Sequence, residues 1–279
     1  MNILLLGGTN EARVFARRAY RQALFDHQQH TLVYSVAGLV RQPDVPCLVI
    51  SGGFTQYGGL AAYIASAGIH AVLDMTHPYA VKISLTAMQV CQAMALPYWR
   101  FLRDPWIAEP DDHWLPVSSW AEVVDKSVDF TRILLTVGQL DQDKLTRLTD
   151  VISTKKSGKL LLRTATPLSI ALPENMIWIQ ATGPFDVESE RRLLKTNAID
   201  CLVTKNSGGD ATRAKLTAAR ELGVAVIMQN RPVLPPVDPC FNSIDQCLVY
   251  LANVLYQSRY LHNSKTHPVD LDIGNHHAL

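Results

Sequence analysis

Lys205, Asn206, Ser207, Gly208 and Gly209 stand together in the run IDCLVTKNSGG, residues 199–209. Ile199, Leu202 and Val203 suit a buried strand, and a helical pattern over 210–222 follows the glycines. A glycine loop there presents backbone N–H groups at a positive helix end, and a lysine adds a full charge. Anion binding is the chemistry such a loop offers. Lys205 is then a clamp for an anionic substrate or a proton donor; the bland alternative is a salt bridge between domains. A second loop of this kind opens the chain, in NILLLGGTNEAR, residues 2–13. Gly7, Gly8 and Thr9 leave the strand, and Arg13 falls in the first helical turn. The full G-x-G-x-x-G of dinucleotide folds is absent. The turn still suits a pyrophosphate or ribose, with Thr9 and Arg13 adding a hydroxyl and a cation. The other reading is a tight turn that simply needs glycine.

Further candidates sit at other strand ends. LDMTHPYA, residues 73–80, brings Asp74, Thr76, His77 and Tyr79 to the end of a fourth strand. His77 titrates near neutrality, so it can donate a proton or serve as a structural cap. SGGFTQYGG, residues 51–59, holds glycines that let a backbone approach a flat ligand, Gly53 among them. The second strand ends in YSVAG, with no acid to hold the adenosine ribose hydroxyls of NAD. Ser35 and Arg41 tolerate a 2′-phosphate, which favours NADPH over NADH. Arg41 as a solvated charge is an equal alternative. In GPFDVESE, residues 183–190, Pro184 and Asp186 fit turn and cap, and Glu188 and Glu190 suit a first helical turn.

These residues need strand ends to hold them. Apolar runs predict strands at 2–6, 31–36, 47–50, 70–74 and 97–102, with helices at 10–25, 58–67 and 79–95. Residues 104–130, rich in proline and tryptophan, read as an irregular crossing with structural tryptophans. The alternation then restarts. Strands are expected at 131–137, 159–163, 176–180, 199–204 and 224–229, and helices near 139–148, 186–196 and 210–222. Continuously apolar strands imply parallel sheets covered on both faces. The expected fold is α/β, two doubly wound, Rossmann-like domains facing a shared cleft. Residues 1–128 form the dinucleotide domain, 129–236 a second α/β domain, and 237–279 a helix near 243–256 with a polar tail.

Composition excludes several classes. Of 279 residues 48% are hydrophobic and 18% charged, which suits a packed soluble core. A net charge of +1 gives no support for nucleic acid as a partner. The odd count of five cysteines, without CxxC spacing, suggests buried thiols in a reducing cytoplasm. No apolar run approaches a membrane span, and the N-terminal apolar stretch is too short for a signal core. The histidines of the tail have poor metal spacing, so no metal is expected. The Tyr-x-x-x-Lys pair, G-x-S-x-G and the P-loop are all missing.

Taken in order, the motifs resemble the precorrin-6A reductase family of cobalamin biosynthesis. The likeness runs through LLLGGTNEAR, SVAG, SGGF, DMTHPYA, RDPW, TVG at 136–138, GPFDVESE, VTKNSGG, AARELG at 218–223 and NRP at 230–232. Its most specific elements are THP and TKNSGG. This chain has Leu39 where relatives often carry arginine, and Tyr79 where phenylalanine is common. The resemblance implies hydride transfer from a reduced nicotinamide to a double bond of a corrin-precursor macrocycle, with or without cobalt. It also implies two α/β domains with the ligands between them. The tetrapyrrole carries many carboxylates, which need scattered cations and N–H donors. On this reading Gly7, Gly8, Thr9, Arg13, Ser35, Arg41 and Thr76 hold the cofactor. Gly53, His77 and residues 205–209 meet the substrate, and His77, Lys205 and Tyr79 are the catalytic candidates. A monomer or small homo-oligomer is expected.

Overall fold

The computed structural model describes residues 1–26, 29–38, 43–168 and 170–263. The first half builds β1 (Asn2–Leu6), α1 (Asn10–Arg21), β2 (Thr31–Val36), β3 (Leu48–Ser51), α2 (Leu60–Ser66), β4 (Ala71–Asp74), α3 (Val81–Ala93) and β5 (Tyr98–Phe101). Alternate residues of each strand enter different cores. Ile3, Leu5 and Leu73 join Phe15 and Tyr34 on one face, while Leu4, Leu6 and Val72 join Ile64 and Cys91 on the other. This two-sided burial is why the strands read as unbroken apolar runs.

The second half repeats the plan. It contains β6 (Trp114–Val117), α4 (Trp120–Ser127), β7 (Arg132–Thr136), α5 (Gln142–Ser153), β8 (Lys159–Thr164), β9 (Met176–Gln180), α6 (Val187–Thr196), β10 (Cys201–Lys205), α7 (Ala214–Glu221) and β11 (Ala225–Gln229). Two further elements, β12 (Cys240–Phe241) and α8 (Ile244–Asn263), follow. Strand order is β12-β5-β4-β1-β2-β3 in one six-stranded sheet and β6-β11-β10-β7-β8-β9 in the other. Every strand pair is parallel. Two doubly wound parallel sheets are therefore present, as the periodicity predicts.

The sixth strand of each sheet is exchanged. β6 follows β5 in the chain but pairs with β11, and β12 follows β11 but pairs with β5. The division at 128 and 236 expected from pattern does not follow the sheets. Residues 114–127 lie with the second sheet, where Val117 and Val123 enter its core. Cys247, Leu248, Leu251 and Leu255 of α8 pack into the core of the first. The stretch read as irregular thus holds β6 and α4. Its helix carries a signal that pattern reading passed over: Ser119 accepts from the Glu122 amide at 3.2 Å, and Glu122 accepts from the Ser118 amide at 3.0 Å. A serine three residues before a glutamate is a capping box in outline.

Two other expectations change. Cys91, Cys201 and Cys247 are buried as expected, but Cys240 is exposed and Cys47 half-buried. The helix expected at 210–222 begins only at Ala214, after a short 3₁₀ turn at Asp210–Thr212. Among the described residues no helix is long and apolar enough to cross a membrane. The helix expected near 243–256 runs on to Asn263, while residues 264–279 and Arg41 lie outside the described residues.

Candidate active site

The C-terminal ends of the two sheets meet. In the first sheet the strand order reverses between β1 and β4, where doubly wound folds open a crevice. The GGT turn forms one lip. Gly7 donates to the Ser35 carbonyl at 2.8 Å, and Gly8 donates to the Tyr34 hydroxyl at 3.1 Å. Gly8 has φ +105°, and a Cβ added there would meet nothing within 4 Å. Space is thus left over a backbone conformation that favours glycine. Thr9 is buried and caps α1: its hydroxyl accepts from the Ala12 amide at 3.1 Å and donates to the Met75 carbonyl at 2.8 Å. The amides of Asn10 and Glu11, which open α1, have no carbonyl above them in the helix. Burial raises the pKa of the Tyr34 phenol, and the half-exposed Arg13 offsets part of that rise. Ser35 is buried inside β2.

The THP segment forms the other lip. Asp74 is buried and accepts from the Thr76 amide at 2.9 Å and the Thr76 hydroxyl at 2.7 Å. The Thr76 hydroxyl is thereby engaged within the protein. His77 Nδ1 accepts from the Tyr79 amide at 3.3 Å, which leaves Nε2 to carry the ring proton. Burial pushes the His77 pKa down to about 3, reinforced by Arg103, Lys205, Arg231 and Lys215. The imidazole is therefore neutral near pH 7. Tyr79 was expected to act on the substrate. Its hydroxyl instead donates to the Gln229 carbonyl at 2.5 Å and accepts from the Asn206 amide at 2.9 Å. Burial raises the phenol to about 12. This side chain ties the two sheets together.

The TKNSGG loop docks on the first domain. Asn206 accepts from the Trp106 amide at 2.8 Å and donates to the Trp106 carbonyl at 3.0 Å. Ser207 is buried, and its carbonyl accepts from Arg103 at 2.6 Å and from Arg231 at 3.0 Å. Arg103 also pairs with Glu11 of α1 at 2.5 Å. A Cβ at Gly208, φ +66°, would stand 2.1 Å from the Asp104 carbonyl oxygen, and one at Gly209 would stand 2.8 Å from Glu11. The second loop therefore packs directly against Glu11 of α1 and Arg103. Lys205, half-buried, holds its ammonium 5.4 Å from the Tyr79 ring centre. Burial, and then Lys144, lowers its pKa. Gly53 is exposed at the head of a 3₁₀ turn over Phe54–Tyr57. No contact among the described residues brings it to His77 or Lys205.

The family described as Precorrin-6x reductase CbiJ/CobK matches residues 2–252. The chain belongs to that family. Precorrin-6A reductase of Rhodococcus erythropolis is 35% identical over 90% of this chain and 98% of its own length. Cobalt-precorrin-6A reductase of Priestia megaterium is 31% identical over 82% of this chain and 90% of its own. A solved CobK precorrin-6A reductase superposes with a TM-score of 0.77 at 32% identity, covering 91% of this chain and 96% of that one.

Within this CbiJ/CobK chain the structure adds residues that motif reading passed over. Arg103, Arg231 and Lys215 surround His77 electrostatically. Lys215 is buried near the Trp106 ring, and desolvation pushes it down to about 7. Glu190, read as a first-turn stabiliser, is buried and pairs with Arg163 at 2.7 Å. RDPW and NRP did carry a signal, since both lie at strand ends. Only the folded chain brings Arg103 and Arg231 onto the same carbonyl, that of Ser207.

Proposed function

We propose that this chain reduces precorrin-6A to precorrin-6B, with NADPH as hydride donor, in the cytoplasm as a monomer or small homo-oligomer. Family membership makes it an oxidoreductase acting on a CH–CH bond of a corrin precursor in cobalamin biosynthesis. The single observation that supports the site assignment is the open Gly8 turn at the head of α1, against which the cationic loop packs. The residues fit a dinucleotide: the space over Gly8, the amides opening α1 and Arg13 suit its phosphates. When bound, the reduced nicotinamide supplies the hydride.

The chain's own groups bind, orient and exclude water. Lys205, without an acidic partner among the described residues, clamps a substrate carboxylate. His77, held neutral, offers Nε2–H as a hydrogen-bond donor rather than as an imidazolium acid. Lys205 and Arg231, which meet no carboxylate among the described residues, keep the site positive, so a polyanionic macrocycle is favoured despite a net charge of only +1. A relative named precorrin-6A reductase is 36% identical to this chain, one named for the cobalt form 31%. That favours the cobalt-free substrate.

The test is nicotinamide oxidation at 340 nm with precorrin-6A and with cobalt-precorrin-6A, each with NADPH and NADH. Turnover with precorrin-6A and NADPH is expected; no turnover with any pair sinks the reading. Lys205→Met should raise KM for the macrocycle with kcat held. A drop of about 10²–10⁴ in kcat would instead make Lys205 the proton donor.

A further inference from the structure

A second cavity of about 240 Å³ opens beside the THP segment. It lies between β5, the start of β12 and the proline-rich segment that returns the chain from the second sheet. Pro78, Arg100, Arg231, Pro235, Val237 and Cys240 are among the residues that line it, and none of the lining residues is acidic. Pro78 follows His77 directly, so the cavity adjoins the cleft.

The polar chemistry of its wall is one-sided. Arg100 is 5% exposed. It donates through Nη1 to the Pro235 carbonyl at 3.0 Å and through Nη2 to the Tyr98 hydroxyl at 3.2 Å. Its Nε is buried and has no acceptor among the described residues. Arg231 donates only to the backbone carbonyls of Arg103, Asp104, Asn206 and Ser207. Neither guanidinium meets a carboxylate directly. Two guanidinium groups line a space with no facing carboxylate, and its volume exceeds the ~30 Å³ that one water occupies. Proline and valine cover the remaining wall, which suits the aliphatic stem of a carboxylate side chain.

We propose that this cavity receives one carboxylate side chain of the macrocycle, with Arg100 and Arg231 as its counter-charges. The proposal rests on the reductase reading. Arg100 is linked to the THP segment through Tyr98, whose hydroxyl donates to Asp74 at 2.7 Å. Seating a side chain here therefore sets the macrocycle's position relative to His77. Arg100 and Arg231 act as specificity determinants, distinct from the phosphate turn at Gly8.

Cys240 lines the cavity and is the exposed cysteine among the described residues. Its alkylation by N-ethylmaleimide, followed by peptide mass mapping, reports occupancy in the unaltered protein. Precorrin-6A without reductant, at about ten times its Kd, should slow modification of Cys240 by about tenfold. NADP⁺ alone should leave the rate unchanged. Equal protection by NADP⁺ alone would give the cavity to the dinucleotide and overturn the proposal. Unchanged modification with precorrin-6A, in protein that turns over in the 340 nm assay, would overturn it while the reductase reading stands. Absence of turnover in unaltered protein is the separate failure of that reading, and the proposal falls with it. Val237→Trp fills the cavity from a half-buried position and spares Arg100. It should raise KM for precorrin-6A with KM for NADPH held; unchanged constants in both would also overturn the proposal.

Discussion

Gly8 and Gly208 occupy equivalent places, each in a glycine turn at the end of a parallel strand, yet their surroundings differ completely. Over Gly8 an added Cβ meets nothing within 4 Å; over Gly208 it meets the Asp104 carbonyl at 2.1 Å. The first turn leads into the 12-residue helix α1, capped by Thr9. The second leads into a 3₁₀ turn, and α7 starts at Ala214 without a side-chain cap. The first loop spends its Gly7 and Gly8 amides on Ser35 and Tyr34 but leaves open space over Gly8. The other commits its backbone to Tyr79, Arg103 and Arg231 and serves as a joint between domains. A glycine-rich strand-to-helix turn is therefore two devices in one chain, and the packing partner decides which.

The largest expected effect tests the joint. Gly208→Ala adds left-handed strain of about 1–2 kcal/mol and overpacking of about 1–3 kcal/mol. Unfolding should shift down by about 5–15 °C, measured by differential scanning calorimetry. A parent-like Tm would mean the joint gives way cheaply and would break the comparison.

His77 lies between the two loops and senses the cations of the second. Folded, it stays neutral down to about pH 3, while the unfolded imidazole titrates near 6.5. Below 6.5 the unfolded chain binds the extra proton, so stability falls as pH drops through that window. The slope is about 1.4 kcal/mol per pH unit, or about 2 kcal/mol between pH 6.5 and 5. His77→Asn should remove that part of the pH dependence in urea unfolding curves. An identical dependence in the variant would show that the ring is protonated in the folded chain.

Tyr79→Phe sharpens the same contrast at smaller cost. It strips the Gln229 carbonyl and Asn206 amide of a shared partner, for about 1–2 kcal/mol. The chemical step should be unaffected, so kcat is expected to hold while Tm falls. A collapse of kcat at parent-like Tm would restore the phenol to the chemistry.

Gly8→Ala completes the series. Its strain should cost stability less than Gly208→Ala, since no atom blocks the methyl. Dinucleotide affinity, followed by NADPH fluorescence, should weaken by about tenfold or more, about 1.4 kcal/mol. Unchanged affinity would place the phosphates away from this turn.

Much of this was legible beforehand. The unbroken apolar runs ILLL and CLV announced strands buried on both faces, and Thr9, Asp186 and the glycines marked where they end. A tyrosine at a strand end reads the same whether its hydroxyl faces a ligand or a partner domain, and only the fold shows the Tyr79 hydroxyl on Gln229 and Asn206. Arg103 and Arg231 were passed over because isolated arginines carry no periodicity. The capping box at Ser119 was readable, but the prolines and tryptophans around it hid β6 and α4.

The sequence by itself determined what local forces control: two series of parallel strands, helix caps, glycine turns at strand ends, and an ordered motif set specific to one enzyme family. Only the tertiary structure decided the exchange of β6 and β12, the burial of Arg100 and Lys215, and the neutrality of His77. Strand pairing is chosen by long-range hydrogen bonding and packing that neighbouring residues do not encode. A pKa likewise depends on desolvation and on charges brought close by folding, such as Arg103, Lys205 and Arg231 around a single imidazole. The same holds for the two glycine loops, whose sequences are alike in kind and whose roles diverge because Asp104 and Glu11 stand over one and nothing stands over Gly8.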